Sequence, residues 1–260
     1  MRTIAVANQK GGVGKTTTSV NLAASLAATR RRVLLVDMDP QGNATTGSGV
    51  DKHELLLSLY EVLLGQAPGE QAIVHAENAG YRLLPANADL TAAKVDMLEL
   101  PRREYRLREV LSTLAERFDY VIIDCPPALD LLTLNSLVAA DSVLIPMQCE
   151  YYALEGLTDL MNTVESLRRS ANRHLEIEGV VRTLFDPRNR LAREVSEQLQ
   201  AYFGERLYRT IIPRNVRLAE APSHGLPIFA YDPRCSGAEA YLALAGEVIR
   251  RRDKVARGAA

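Results

Sequence analysis

The chain has 260 residues, 47% of them hydrophobic and 24% charged, which excludes wholesale disorder, a collagen-like fibre and a disulfide-stapled miniprotein. Its three cysteines, Cys125, Cys149 and Cys235, lie far apart in no paired motif, and no apolar run approaches the roughly 20 residues of a membrane span. The 31 basic and 32 acidic residues leave a net charge of −1, yet residues 161–260 hold 17 basic against 12 acidic, a modest pointer to a polyanion partner.

In chain order, short apolar runs alternate with longer segments of helical period. The first strand is expected at 3–7 and the first helix at 15–29. Between them stands Lys10-Gly11-Gly12-Val13-Gly14-Lys15-Thr16-Thr17. A strand at 33–36 runs without alternation into Asp37, Met38 and Asp39, as suits a parallel strand covered on both faces. A helix at 55–64, a strand at 82–84 and a helix at 103–117 follow. The next strand, 120–123, is again apolar throughout and ends at Asp124. Then come a helix at 131–139, a strand at 142–146, a helix at 154–169 and a strand at 179–183. A helix at 191–203, a strand at 209–212, a helix at 237–252 and a frayed tail at 255–260 complete the chain. This alternation predicts an α/β fold: a single doubly wound domain over 1–260, with a mostly parallel sheet and helices on both faces. The cysteines read as small packing residues in a reducing, cytoplasmic setting.

A glycine-rich turn between a strand and a helix is what a nucleotide phosphate loop requires. Gly11, Gly12, Val13 and Gly14 let successive backbone N–H groups converge on phosphate oxygens, and the helix N-terminus adds its positive dipole end. Lys15 is expected to reach the β- and γ-phosphates, and the Thr16 hydroxyl, with Thr17 beside it, to serve Mg²⁺. The general GxxxxGK[ST] pattern fails here, because its first glycine falls at Gln9. What stands is the KGGxGK[ST] variant, with a second lysine at Lys10. Asp124, at the C-terminal end of a strand beside that loop, is the expected Walker-B carboxylate, holding Mg²⁺ through its water shell. Asp39 is placed to orient or deprotonate an attacking water, and Asp37 to support the metal or the loop.

On these segments the chain resembles the ParA/Soj family of chromosome- and plasmid-partitioning ATPases, deviant-Walker P-loop relatives of MinD. The likeness takes in Asp124-Cys125-Pro126-Pro127, the segment Gln148-Cys149-Glu150-Tyr151-Tyr152-Ala153-Leu154-Glu155-Gly156, and residues 212–223. It continues through Tyr231-Asp232-Pro233 and Gly237-Ala238-Glu239-Ala240-Tyr241. The resemblance implies a P-loop ATPase that turns ATP into ADP with Mg²⁺ and closes into an ATP-dependent sandwich homodimer. Lys10 would then cross to the partner's nucleotide, Gly12 would let two loops approach, and Pro213, Arg214 and Asn215 would lie near the adenine. It also implies that the dimer binds duplex DNA without sequence preference, in the cytoplasm on the nucleoid. A ParB-like centromere-binding protein would stimulate hydrolysis and so release it. The arginines put forward for the DNA face are Arg188, Arg190, Arg217, Arg234 and Arg250; family members often carry Asn where this chain has Arg190.

Other readings share the same loop. A MinD-like ATPase at the membrane surface would need the apolar stripe Ala240, Tyr241, Leu244, Ala245, Val248 and Ile249 to meet lipid. Packing on the core explains that stripe more simply, so no membrane partner is expected. An iron–sulfur ATPase would need a cysteine pair at a dimer axis, and a metabolic ligase a small-molecule pocket.

Overall fold

The computed structural model describes residues 1–151 and 155–258, with side chains for all of these except 155, 156 and 254–258. Among the described residues eight strands form one sheet: β1 (Arg2–Val6), β2 (Val33–Asp37), β3 (Val74–Ala76), β4 (Tyr81–Leu84), β5 (Tyr120–Asp124), β6 (Ser142–Gln148), β7 (Glu176–Phe185) and β8 (Leu207–Pro213). Their order is β3-β4-β2-β5-β1-β6-β7-β8, and every neighbouring pair is parallel except β3 with β4. This is the doubly wound α/β architecture that the alternating sequence predicts.

The central strands are apolar on both sides because helices cover both. Ile4, Val6, Leu35 and Ile122 face a layer that includes the helix Lys15–Ala28 and the last helix, Ser236–Gly258. Ala5, Leu34, Val36, Val121 and Ile123 face the other layer, which contains Leu131–Ala139 and Arg106–Thr113. Within the first layer, Thr18 Oγ1 and Tyr241 OH share a hydrogen bond at 3.2 Å, and Asn21 Oδ1 accepts from the Ile228 N–H at 2.6 Å. Tyr241, Leu244, Ala245 and Val248 are all buried there. The stripe that a membrane anchor would need is occupied by core packing.

Some elements differ from expectation. The three-residue β3 has no strand-like run behind it; it forms by antiparallel pairing with β4. The helix expected at 55–64 starts only at Leu59, because Ser58 and Glu61 form a capping box that fixes its first turn. The 103–117 segment divides into a 3₁₀ turn, Arg103–Tyr105, and the helix Arg106–Thr113. The last helix runs to Gly258, into the expected frayed tail; residues 259–260, like residue 154 of the expected 154–169 helix, lie outside the described residues. Cys125 and Cys149 are buried and Cys235 half-buried, all as free thiols.

A buried ionic cluster occupies the edge of the sheet where the parallel strands begin. The Glu178 carboxylate on β7 accepts from the Arg2 guanidinium, from Ser142 Oγ at 2.6 Å and from Tyr208 OH at 3.1 Å. Arg251, from the last helix, lies 3.8 Å over the Tyr208 ring and donates to the Glu178 and Leu207 carbonyls and to Glu247. Gly179 permits this closeness: its φ is +154°, and a Cβ there would stand 2.5 Å from the Arg206 carbonyl and 2.7 Å from the Tyr208 ring.

Candidate nucleotide site

The opposite edge of the sheet collects the residues singled out in the sequence. In register, Val6 of β1 pairs with Asp124 of β5, and Asp124 pairs with Asp37 of β2. Residues in register on parallel strands share a face, so both carboxylates project toward the helix Lys15–Ala28. Asp124 is completely buried. Its Oδ1 accepts from Ser19 Oγ at 2.8 Å, and the Thr16 hydroxyl lies close enough to favour its ionised form. Its Oδ2 has no hydrogen-bond partner among the described residues.

Asp37, equally buried, is better served. Its Oδ2 accepts from the Thr45 N–H and hydroxyl at 2.8 Å each, and its Oδ1 from the Asp39 N–H at 3.2 Å. Burial pushes both carboxyls above the ordinary carboxylate range; the Asp37 charge pushes Asp124 further, and Asp39 does the same to Asp37. A divalent cation beside Asp124 would relieve that repulsion. Orphaned Oδ2, the Thr16 hydroxyl and the oxygen-only character of the donors fit a hard ion such as Mg²⁺.

The loop above them is shaped for an anion. Gly12 and Gly14 take left-handed φ values of +75° and +86°. Gly14 precedes the helix Lys15–Ala28, whose N-terminus has no side-chain cap, so its first N–H groups are left for a ligand. Lys15 is only 8% exposed, and its Nζ donates to the Lys10 carbonyl at 3.0 Å. Burial lowers the Lys15 ammonium below its ordinary range, against the upward pull of Asp124. A Cβ on Gly11 or Gly12 would meet nothing within 4 Å, so the outer face of the loop is open. Val13 is pinned from β7, where Thr183 Oγ1 donates to its carbonyl at 2.7 Å. Lys10 points outward and pairs with Glu150 at 2.6 Å, both side chains well exposed. Asp39 is half-buried in the turn after β2, its Oδ1 accepting from the Gln41 N–H at 2.9 Å.

Comparison with known proteins bears directly on this arrangement. An AAA domain model matches residues 1–177. The chromosome partitioning protein ParA of Caulobacter vibrioides is 50% identical over 262 residues, spanning 100% of this chain and 98% of its own. The sporulation initiation inhibitor protein Soj of Bacillus subtilis is 52% identical over 245 residues, 94% of this chain and 97% of its own. The chain belongs to the ParA/Soj family. Among solved structures, this ParA/Soj chain superposes on cobyrinic acid a,c-diamide synthase from Mycobacterium smegmatis with bound ADP and magnesium. That match has a TM-score of 0.86 at 39% identity and covers 97% of this chain and 96% of the other.

The remaining candidates of this ParA/Soj chain lie further from the loop. Pro213 ends β8, the exposed Arg214 donates its N–H to the Phe185 carbonyl at 3.0 Å, and Asn215 caps the helix Val216–Glu220 through the Arg217 N–H. Asn215 Nδ2 also reaches Ser236 Oγ at 2.9 Å. These three stand at the loop's edge of the sheet but make no hydrogen bond to it among the described residues. Of the five arginines, Arg188 pairs with Asp186 at 2.8 Å and Arg190 with Glu194 at 2.7 Å. Arg217 pairs with Glu220 at 2.9 Å and meets Asp232 at 3.6 Å, where the Arg234 N–H also bonds. Arg234 and Arg250 are exposed and form no ion pair among the described residues. Arg251 and Arg252, next to Arg250, turn back onto Tyr208 and Tyr120.

Four supporting residues escaped the sequence reading: Ser19, Thr45, Thr183 and Asn8, whose Oδ1 accepts from the Lys10 N–H at 3.0 Å. Ser19 had a usable signal, since it stands three residues after Thr16 on the same helix face. The others come from segments with no local mark of the site.

Proposed function

We propose that this ATPase of the partitioning family works as a nucleotide-timed clamp on DNA: ATP joins two copies, the pair holds duplex DNA without sequence preference, and hydrolysis releases it. The observation that carries this reading is the Asp124 oxygen left without a partner beneath an uncapped, glycine-flanked helix start. A buried polar atom is costly unless a ligand completes it.

Gly11, Gly12, Val13, Gly14, Thr16 and Thr17 bind the phosphates through backbone N–H groups, and Lys15 leaves the Lys10 carbonyl to meet the β- and γ-phosphates. The Thr16 hydroxyl and, through water, Asp124 hold Mg²⁺, with Asp37 supporting from behind. When bound, Mg²⁺ supplies positive charge to the phosphate oxygens. Asp39 orients the attacking water and takes up its proton. Pro213, Arg214 and Asn215 face the adenine. Lys10, exposed at the loop's tip, leaves Glu150 and reaches the nucleotide of a second copy. Its charge then arrives only in the dimer, much as an arginine finger does, so a lone copy turns over slowly. A ParB-like protein accelerates the step.

DNA binding follows from valence. With about three phosphate contacts per copy, pairing raises the neutralised phosphates to about six and steepens the salt dependence from roughly −3 to roughly −5. The excess of 17 basic over 12 acidic residues in 161–260 and the neighbouring Arg217 and Arg234 support this face. One domain over 1–260, acting in the cytoplasm on the nucleoid, is the corresponding arrangement. Among the described residues no helix is long and apolar enough to cross a membrane.

A titration of duplex DNA with ATP, with ADP and without nucleotide, at two salt concentrations, tests the proposal. Tight, salt-steep binding is expected only with ATP; equal retention without nucleotide overturns it. Arg217→Glu should weaken retention in filter binding and leave ATP-induced dimers intact in ultracentrifugation. An unchanged titration moves the DNA face elsewhere.

A further inference from the structure

We propose a second anion site, on the sheet edge remote from the phosphate loop, that takes a small phosphorylated ligand. A cavity of about 470 Å³ opens beside the starts of β2 and β4, within the range typical of small-molecule sites. Arg31, Arg32, Arg82, Arg117 and His75 line it, with Glu70 as the only carboxylate among the lining residues. Antiparallel pairing of β3 and β4 sets His75 opposite Arg82 in register, so imidazole and guanidinium stand together on one face.

The charge balance marks this hollow as more than a crevice. Arg32 is engaged by Asp119 at 2.9 Å and by the Glu116 carbonyl, and Arg117 is paired with Glu70. Arg82 has no ion pair or side-chain hydrogen bond among the described residues. Among the described residues Arg31 forms no ion pair or side-chain hydrogen bond; it lies near enough to add to the field on Asp119, the carboxylate that Arg32 holds. Two guanidinium forks therefore face a concave space with donors unspent. Planar forks match the oxygens of an oxyanion two at a time, and several cations around one hollow suit the multiple charge of a phosphorylated ligand better than a halide or a single carboxylate. The hollow also favours a compact molecule over a duplex, whose backbone contacts follow an open stripe. Arg31 and Arg32 come from the run Arg30-Arg31-Arg32, and folding brings Arg82 of β4 and Arg117 to them, within residues 1–160 that hold 20 acidic against 14 basic residues. The site is independent of the nucleotide site: β2 and β5, five residues each, separate the two edges by about 17 Å.

The test uses the full chain saturated with Mg-ADP, so that the phosphate loop is filled, and titrates inorganic tripolyphosphate by calorimetry. One equivalent should bind, and Arg82→Ala or Arg31→Ala should each weaken it by about tenfold, the loss expected for one charge-assisted contact. Both side chains are exposed, so these variants should keep the wild-type circular dichroism and ATP affinity. Nucleotide-free Lys15→Ala protein should still bind one equivalent. Absence of binding to the Mg-ADP form, wild-type affinity in both arginine variants, or loss of binding in Lys15→Ala overturns the site. Displacement of tripolyphosphate by duplex DNA at equal phosphate concentration would replace it with a DNA face. None of these outcomes touches the ATPase reading.

Discussion

Glu178 and Asp124, buried carboxylates at the two edges of the sheet, stand in opposite conditions. Where the strands begin, Glu178 accepts from three side chains, and Glu247 accepts from the Arg209 and Thr210 N–H groups, the Thr210 hydroxyl and Arg251. Where the strands end, Asp124 keeps an oxygen unmatched and Lys15 donates to a carbonyl of its own loop. Ionisation follows suit. Burial raises the Glu247 carboxyl, but its backbone, hydroxyl and Arg251 partners outweigh it and hold the group below its ordinary range. Burial raises Asp124 and lowers Lys15, so on that edge each neutral form gains. Charges that are buried and satisfied hold a fold together; charges that are buried and unsatisfied hold free energy that a ligand recovers.

If that division is right, substitutions at the two edges should separate binding from stability. Lys15→Ala should cut ATP affinity by about a thousandfold, the cost of leaving buried phosphate charge unpaired, and remove ATP-dependent dimers. Its denaturant midpoint should match wild type; a large fall would erase the contrast. Glu178→Ala should do the reverse, lowering the unfolding free energy by about 3–5 kcal/mol because the Arg2 guanidinium and Tyr208 hydroxyl lose their acceptor. The folded fraction should bind ATP normally in a fluorescence titration. Asp39→Ala should keep ATP affinity and slow phosphate release by about a hundredfold, accumulating dimer in ultracentrifugation; lost ATP binding would make Asp39 a structural residue.

The smallest effect is on pH. A group with a lowered folded pKa stabilises above its ordinary range and loses that as pH falls, which is the case for Glu247. A raised carboxyl stabilises below the ordinary range and loses that as pH rises, which is the case for Asp124. Thermal melts of nucleotide-free protein should therefore show Glu247→Gln flattening the acid limb and Asp124→Asn flattening the limb above the ordinary carboxylate range. Identical slopes in the two variants would contradict the contrast.

The functional edge was far more legible in the sequence than the structural one. Non-alternating apolar runs located β2 and β5, and the acidic residue ending each run lands in register with the other. The phosphate loop is local, so its glycines and lysines carry their own signal. The Glu178 cluster draws on Arg2, Ser142, Tyr208 and Arg251, which only folding brings together, and no spacing rule marks them. The capping box at Ser58 and Glu61 was readable as a pattern and would have trimmed the 55–64 helix. β3 was not, because three residues with an exposed His75 carry no period. Ion pairs such as Arg188 with Asp186 depend on side-chain placement, which composition does not record.

The packing of the helix Lys15–Ala28 beside Ser236–Gly258, in one layer on the sheet, limits how this gene can be cut. Truncation at residue 177, where the AAA domain match stops, would uncover Leu22, Leu26 and their neighbours and delete Thr183, the anchor of Val13. Such a fragment would carry every phosphate-loop residue and still be expected to come out of a cell as aggregate.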